Sequence, residues 1–442
     1  MHKRRKILLG LGATTLAVGA FAIHYLGSMA RVGVGYMVKV TCSEVLVAGR
    51  SEQDVLATNF AGINPLLQFI DLTVDIAAVR VEGDLWGLGA STAVHRESVG
   101  CTLLSEQRLA PAAAPAANPA PAYRVALNQQ VQNALVGLFN EAAGERPIGT
   151  RGSVVIQNGT VVAEQYAPGF NASTRQQSWS LAKGFTQALT GIATDKGLVT
   201  LAETALLPQW QSPDPRAAIS LGHLLHMASG LQFTENYADP FSDVDQMLYN
   251  HANMGAFAAS LPLRAKPGAE SIYSSGTTNI VSHILRDRLE RSGLDYHAMP
   301  RQWLFDPIGM SSAIFEVDAA GNFIGSSYIY ATPRDFARFG QLYLQDGTWN
   351  GNRVLPKGWV DYTREPAIGV RNDYGSHWSL NLDQSNLPGL PADTFYLGGN
   401  DGQYIFVIPS KNAVIVRFGI TRLPATFKQD VLPHIEAIYQ AL

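Results

Sequence analysis

The stretch Gln177-Ser178-Trp179-Ser180-Leu181-Ala182-Lys183-Gly184 decides how the rest of this chain is read. Ser180 and Lys183 stand three residues apart, at the start of a segment whose apolar positions, Leu181, Phe185, Ala188, Leu189 and Ile192, recur at helical spacing. The pattern predicts a helix with Ser180, Lys183, Gly184 and Gln187 on a neighbouring stripe. On the first turn of a helix, side chains at i and i+3 point the same way, so the amine comes within hydrogen-bond reach of the hydroxyl. A serine hydroxyl is a weak nucleophile until a base takes its proton. A lysine is such a base only where burial or cationic neighbours keep it partly neutral. Solvated helices also carry this spacing by chance, so Ser-x-x-Lys needs partners elsewhere before it carries chemistry.

Two later stretches offer partners. Lys266-Pro267-Gly268 leads into Ile272-Tyr273-Ser274-Ser275-Gly276-Thr277-Thr278-Asn279. Tyr273, in a loop ahead of a helix expected over residues 279–292, has the phenol that could pass a proton between nucleophile and leaving group. Further on, Leu397-Gly398-Gly399-Asn400-Asp401-Gly402-Gln403 opens a strand. Glycines there let a substrate lie against the strand edge, and a backbone N–H could join that of Ser180 in an oxyanion hole. Taken singly, a tyrosine is more often a packing residue and a glycine run more often a flexible turn.

In this order, Ser-x-x-Lys, Tyr-Ser-x and a Gly-rich strand entry resemble the β-lactamase and DD-peptidase superfamily of serine hydrolases. Three phrases resemble its class C and esterase branch: residues 219–231 (ISLGHLLHMASGL), 304–310 (LFDPIGM) and 331–340 (ATPRDFARFG). Phe233-Thr234-Glu235-Asn236-Tyr237-Ala238-Asp239 is most similar to the 6-aminohexanoate-dimer hydrolase group, where a tyrosine at the position of Tyr237 contacts substrate. The resemblance implies Ser180 as acyl-enzyme nucleophile, Lys183 as its base, Tyr273 as general acid/base, and the N–H groups of Ser180 and Asn400, beside Gly399, as the oxyanion hole. Two departures stand out. Ser275 occupies the place of the asparagine in Tyr-x-Asn, and Leu397-Gly398-Gly399 the place of Lys-Thr-Gly. Losing that lysine removes a cation suited to the carboxylate of a β-lactam or peptide, so the expectation is an esterase or amidase acting on a small ester or amide. A β-lactamase or D,D-carboxypeptidase is the alternative within the superfamily, and a catalytically idle binding or sensor protein the alternative outside it.

The expected fold is α/β of the α+β type, β-lactamase/transpeptidase-like, with an antiparallel sheet flanked by helices and a helical region between. Asn158-Gly159 is a two-residue hairpin signal between Ser153-Val154-Val155-Ile156-Gln157 and Val161-Val162-Ala163-Glu164-Gln165-Tyr166. Pro409-Ser410-Lys411-Asn412 separates Tyr404-Ile405-Phe406-Val407-Ile408 from Ala413-Val414-Ile415-Val416-Arg417-Phe418 in a second hairpin. An amphipathic helix over residues 125–143 and a last helix over 425–442 bracket them, so one sheet draws on both ends of residues 125–442. Residues 105–124, rich in Ala and Pro, read as a semi-extended linker. Residues 36–104 read as a small N-terminal domain with strands near Val40 to Val47 and Ala78 to Val81.

His2-Lys3-Arg4-Arg5-Lys6 followed by the uncharged run Ile7 to Ile23 reads as export. Residues 1–27 are either a cleaved signal or a membrane anchor, leaving the body on the periplasmic side or secreted. An oxidising compartment permits Cys42 and Cys101 to bridge, two buried thiols being the alternative. Closing that loop would add roughly 4 kcal/mol. The composition, 46% apolar and 16% charged, excludes wholesale disorder, and a net charge of −3 gives no footprint for nucleic acid. No metal or cofactor is expected, since phosphate-loop and His-Glu-x-x-His patterns are missing. His223 and His226 among leucines read as core or helix-end residues.

Overall fold

In the computed structural model, residues 25–104, 109–140, 147–367 and 373–442 are described. The frame is a six-stranded sheet. From one edge its strands are Ser379–Leu380, Phe395–Gly399, Gln403–Ile408, Ala413–Gly419, Thr150–Gln157 and Thr160–Tyr166, each antiparallel to the next. The last strand of the chain therefore pairs with the first of this region, as the two hairpins predict. Asn158 (φ 51°) and Gly159 (φ 73°) make the left-handed turn that closes the first hairpin.

Alternation along the strands builds a core on each face. Val154, Ile156, Ile405, Val407, Val414 and Val416 face the larger core. Val155, Phe406, Ile408 and Ile415 face the smaller one, which the helices Gln129–Val136 and Leu432–Ala441 close with Val131, Leu135 and Ile435. The larger core takes the helices Ala182–Asp195 and Pro333–Leu344, the second started by the Thr332 side chain and a proline in its first turn. Gly184 lets the first helix approach the sheet, because a Cβ there would lie 2.6 Å from Leu397 Cδ1.

Several expected boundaries move. The helix expected from residue 125 starts at Gln129 behind an Asn128 cap, because Ala126 and Asn128 first donate their N–H groups to Val161 and Val162 as an extended segment; residues 141–143 of that expectation lie outside the described residues. The helix expected from residue 279 starts at Ser275, capped by Ser274. Residues 40–47 are not a strand. They finish a helix that occupies residues 25–42 and end in a π-helical turn at Ser43–Val47. Its β-branched residues suggest a strand, but the surroundings decide: Val38, Val40 and Cys42 are buried, and so are the polar Lys39, Ser43 and Glu44. Ala78 lies in a turn, between the strands Asp71–Asp75 and Arg80–Leu85 of a four-stranded meander continued by Leu88–Arg96 and Gly100–Leu103. Cys42 and Cys101 are disulfide-bonded, joining the helix to the meander.

The N-terminal region shares the main core with the rest: Val32, Val34, Val38 and Val47 belong to the same cluster as Trp179 and Phe185. Residues 109–124 have no regular structure, yet they are tied down. Ala110 donates to Ala319, Asn118 to Asp306, and Arg338 to the Pro121 carbonyl. The expected linker is thus a strap along the body.

Docking is electrostatic as well as apolar. Lys39 is ion-paired with Glu316, a fully buried carboxylate that also accepts from the Cys101 N–H (2.6 Å) and the Ser43 hydroxyl (2.9 Å). Burial pushes Lys39 down and Glu316 up, and each partner's charge opposes that push. Removing one partner strands the other in the core, so Glu316→Ala is expected to cost about 3–5 kcal/mol. Replacing both, as Lys39→Met with Glu316→Leu, should recover much of the loss. Urea unfolding of the three proteins checks this, and a single variant as stable as the parent would contradict it.

The run His2 to Ile23 lies outside the described residues. Among those described, no helix is long and apolar enough to cross a membrane.

Candidate active site

The Ser180 turn is clamped before it is chemical. Ser178 N–H donates to the Ile329 carbonyl at 2.8 Å, and Ile329 N–H donates back to Ser178 Oγ at 2.9 Å, fixing the chain against the small sheet of Gln176–Gln177, Ile329–Ala331 and Ile314–Phe315. Trp179 then takes a left-handed conformation (φ 44°), which costs a bulky residue about 1–3 kcal/mol and persists only where neighbours enforce it. Its ring is buried, with its centroid 5.7 Å from that of Tyr328. The consequence is that Ser180 enters the helix from a sharp turn and stays partly open to solvent.

Lys183 sits one turn on, fully enclosed. Its Nζ lies 2.9 Å from Ser180 Oγ, 3.0 Å from Ser275 Oγ and 3.2 Å from the Ser326 carbonyl. Burial pushes its pKa down to about 8, against the opposing pull of Glu235. A neutral amine is therefore accessible near neutral pH.

Tyr273 stands over this pair, with Lys183 Nζ 4.6 Å from its ring centroid. Burial first, then the Glu235 charge, push its phenol up, while its interaction with the Ser180 side chain works the other way. Tyr273 is accordingly a protonated phenol, fitted to give a proton rather than to act as phenolate. Of the two candidate bases, Lys183 is the one that titrates within reach.

Ser275 is the first residue of its helix, and its hydroxyl donates at 2.6 Å to Glu235 Oε1 while its N–H donates at 2.8 Å to Oε2. That leaves Ser275 Oγ as acceptor for the lysine. Glu235 also accepts from Tyr237 OH at 3.2 Å, placing Tyr237 at the edge of the site, where it is 39% exposed. His377 lies behind: its Nδ1 donates to the Leu225 carbonyl at 2.7 Å and its Nε2 accepts from Thr278 at 2.8 Å. Burial holds its pKa down at about 3, so it packs as a neutral ring.

The strand Phe395–Gly399 ends against the Ser180 turn. A Cβ on Gly399 would fall 2.7 Å from the Ser178 carbonyl oxygen and 3.2 Å from Trp179 Cβ, so only glycine permits this approach. Asn400 follows, and Asp401 (φ 60°) turns away to a paired contact with Arg422 at 2.6 Å. Gly399→Ala is expected to push the strand end off the turn, and to lower kcat about a hundredfold, the loss that follows where the Asn400 N–H serves as an oxyanion donor. Ester hydrolysis measured beside a urea unfolding curve separates this loss from unfolding.

Of the residues singled out in the sequence, Ser180, Lys183, Tyr273 and Ser275 come together, Tyr237 joins them through Glu235, and Gly399, followed by Asn400, ends its strand against the turn. Glu235 and Ser326 are additions. Glu235 lies within the quoted 233–239 stretch, but its hold on Ser275 is a contact across 40 residues that no local pattern signals. Ser326 contributes a main-chain carbonyl, which carries no residue signature; its N–H and hydroxyl both meet Asn279. His223 forms a capping box with Ser220. Among the described residues, no group of three or more His, Cys, Asp or Glu is placed to hold a metal.

Comparison with known proteins follows this geometry. A family profile described as Beta-lactamase matches residues 143–433. The 6-aminohexanoate-dimer hydrolase of Paenarthrobacter ureafaciens is 24% identical over 294 residues, covering 60% of this chain and 71% of that protein. A Bacillus anthracis structure provisionally named as such a hydrolase superposes with a TM-score of 0.60 at 24% identity, covering 73% of this chain and 88% of the other. A family VIII carboxylesterase superposes with a TM-score of 0.54 at 14% identity, over 74% of this chain and all (100%) of the other.

Proposed function

The chain belongs to the beta-lactamase family, whose members are serine hydrolases, and from that premise we propose that it hydrolyses a small ester or amide through an acyl-enzyme on Ser180. One observation carries the reading: the Lys183 amine, pushed down to about 8, lies 2.9 Å from the Ser180 hydroxyl with no carboxylate between them.

At pH 7 roughly a tenth of Lys183 is neutral, and that fraction accepts the Ser180 proton as Oγ attacks the carbonyl carbon. Charge gathers on the carbonyl oxygen, where the N–H groups of Ser180 and Asn400 would receive it. Tyr273 gives its proton to the leaving oxygen or nitrogen as the bond to carbon breaks, and the Lys183 ammonium restores the phenol. Water then attacks the acyl-enzyme by the same route in reverse, releasing the acid and freeing Ser180.

An ester or linear amide is favoured over a β-lactam by what stands at the strand. Leu397 is buried against the Ser180 helix where a lysine would meet a substrate carboxylate, and the nearby Arg422 is already paired with Asp401. Initial rates on p-nitrophenyl butyrate, a linear 6-aminohexanoate dimer and a chromogenic cephalosporin test this. The ester or the dimer is expected to be turned over, with the cephalosporin at least tenfold slower in kcat/KM. The opposite order would favour the β-lactamase alternative, and no turnover of any would favour the idle binding protein. The basic head and apolar run at residues 2–23 support export, with the body outside the cytoplasm.

A further inference from the structure

Beside the active site, between the N-terminal region and the hydrolase body, lies a cavity of about 820 Å³. Trp179, the residue before Ser180, lines it together with Tyr237 and Asn400, so it borders the nucleophile turn and the end of the neighbouring strand. Much of the lining is apolar: Met29 and Gly33 of the N-terminal helix contribute to it, with Leu67 and Ile70 packed beside Gly33. Asp245 in the same wall is pushed up to about 7 by burial, so the wall carries less charge than its composition suggests. The outer rim is apolar too and open to solvent, with Leu26, Trp86 (71% exposed) and Leu423 (85% exposed) around it. An exposed apolar rim of this kind marks a place where an apolar molecule enters.

We propose that this cavity is an acyl-chain site, and that the substrate is the ester or amide of a long-chain fatty acid. The inference rests on the hydrolase reading above and names the substrate class of that same site. A carbonyl held at Ser180, beside Trp179 and Asn400, would send its chain past Gly33 and Leu67 towards Leu26 and Trp86. The volume lies in the range of pockets that enclose a drug-sized ligand. In the reaction the acyl carbon–oxygen bond of the ester breaks, Ser180 Oγ takes the acyl group, and water releases the fatty acid. The N-terminal region thereby supplies half of a substrate pocket, which gives residues 26–88 a role that sequence left open.

The test uses the full chain and p-nitrophenyl esters kept below micelle-forming concentration. Each buried methylene is worth roughly a fourfold gain in binding, so dodecanoate should exceed butyrate by at least about a hundredfold in kcat/KM. Gly33→Phe plugs the cavity. A Cβ at Gly33 meets Leu67 Cδ2 at an ordinary 3.5 Å, so the helix tolerates a side chain that then fills the space. This variant should lose at least tenfold on dodecanoate while staying within twofold on butyrate. A separate binding measurement uses dansyl-undecanoic acid and the Ser180→Ala chain, with binding expected there and lost when Gly33→Phe is added. Ser180-dependent hydrolysis without chain-length preference, or an unaffected Gly33→Phe, overturns the acyl-chain site and leaves the hydrolase reading standing. Probe binding that Gly33→Phe abolishes, with no ester turned over, upholds the site and overturns the hydrolase reading. A probe that binds only after residues 1–24 are removed assigns the cavity to the chain's own apolar segment and overturns the proposal.

Discussion

Lys183→Ala is expected to lower kcat/KM for p-nitrophenyl butyrate by about 10²–10⁴-fold, the range general-base catalysis usually supplies. The expectation follows from a short chain of contacts. Lys183 is the base within 2.9 Å of the Ser180 hydroxyl, and Tyr273 is held too firmly as a phenol to replace it. The pH dependence separates this role from a merely structural one. A base whose pKa is pushed down to about 8 is neutral above that pH and charged below it, so the wild-type rate should climb through pH 7 and level above about 8. In Lys183→Ala that inflection should vanish. Lys183→Arg keeps the cation but cannot lose its proton, so it should be as inactive as the alanine. An arginine variant retaining a tenth of the rate would show that the charge, not the base, matters.

Ser180→Ala should have the larger effect, a loss of about 10⁶-fold, of the size found when the nucleophile of a serine hydrolase is removed. Folding should be untouched. Lys183 keeps the Ser275 hydroxyl and the Ser326 carbonyl, and the clamp on the turn runs through Ser178 rather than Ser180. Because the two residues act as one unit, the double substitution should be little worse than Ser180→Ala alone. Additive losses in the double variant would mean that Lys183 serves a step not involving Ser180.

The candidate site was largely legible because its parts sit in short local patterns: i and i+3 on a helix for Ser180 and Lys183, a loop tyrosine before a helix, and a glycine at a strand end. Gly399 shows why the last worked. The residue type is forced by one close approach to the Ser178 carbonyl, which leaves a mark in the sequence. Glu235 and the Ser326 carbonyl left none, since one acts across 40 residues and the other through the main chain. The sheet was legible for a similar reason. Its hairpins close through Asn158-Gly159 and Pro409 to Asn412, and its alternation feeds two cores at once.

The N-terminal region was misread where burial, not pattern, sets the structure. Val38, Val40 and Cys42 alternate like a strand, but Lys39, Ser43 and Glu44 are buried as well, and each is paired with a distant residue: Glu316 for the first two, Tyr330 for the third. A segment buried on all sides has no polar face to reveal its period. Those same pairings bind the helix to the sheet that carries the Ser178 clamp. The N-terminal region and the nucleophile turn are therefore parts of one packed body.

The central claim is that Ser180 takes the acyl group, and intact-mass analysis after mixing with p-nitrophenyl butyrate within the first turnovers tests it most directly. The account predicts a mass increase of one butyryl group on the wild-type chain, localised to the peptide containing Ser180, and none on Ser180→Ala. Hydrolysis that continues in Ser180→Ala, or an adduct on another residue, would contradict it.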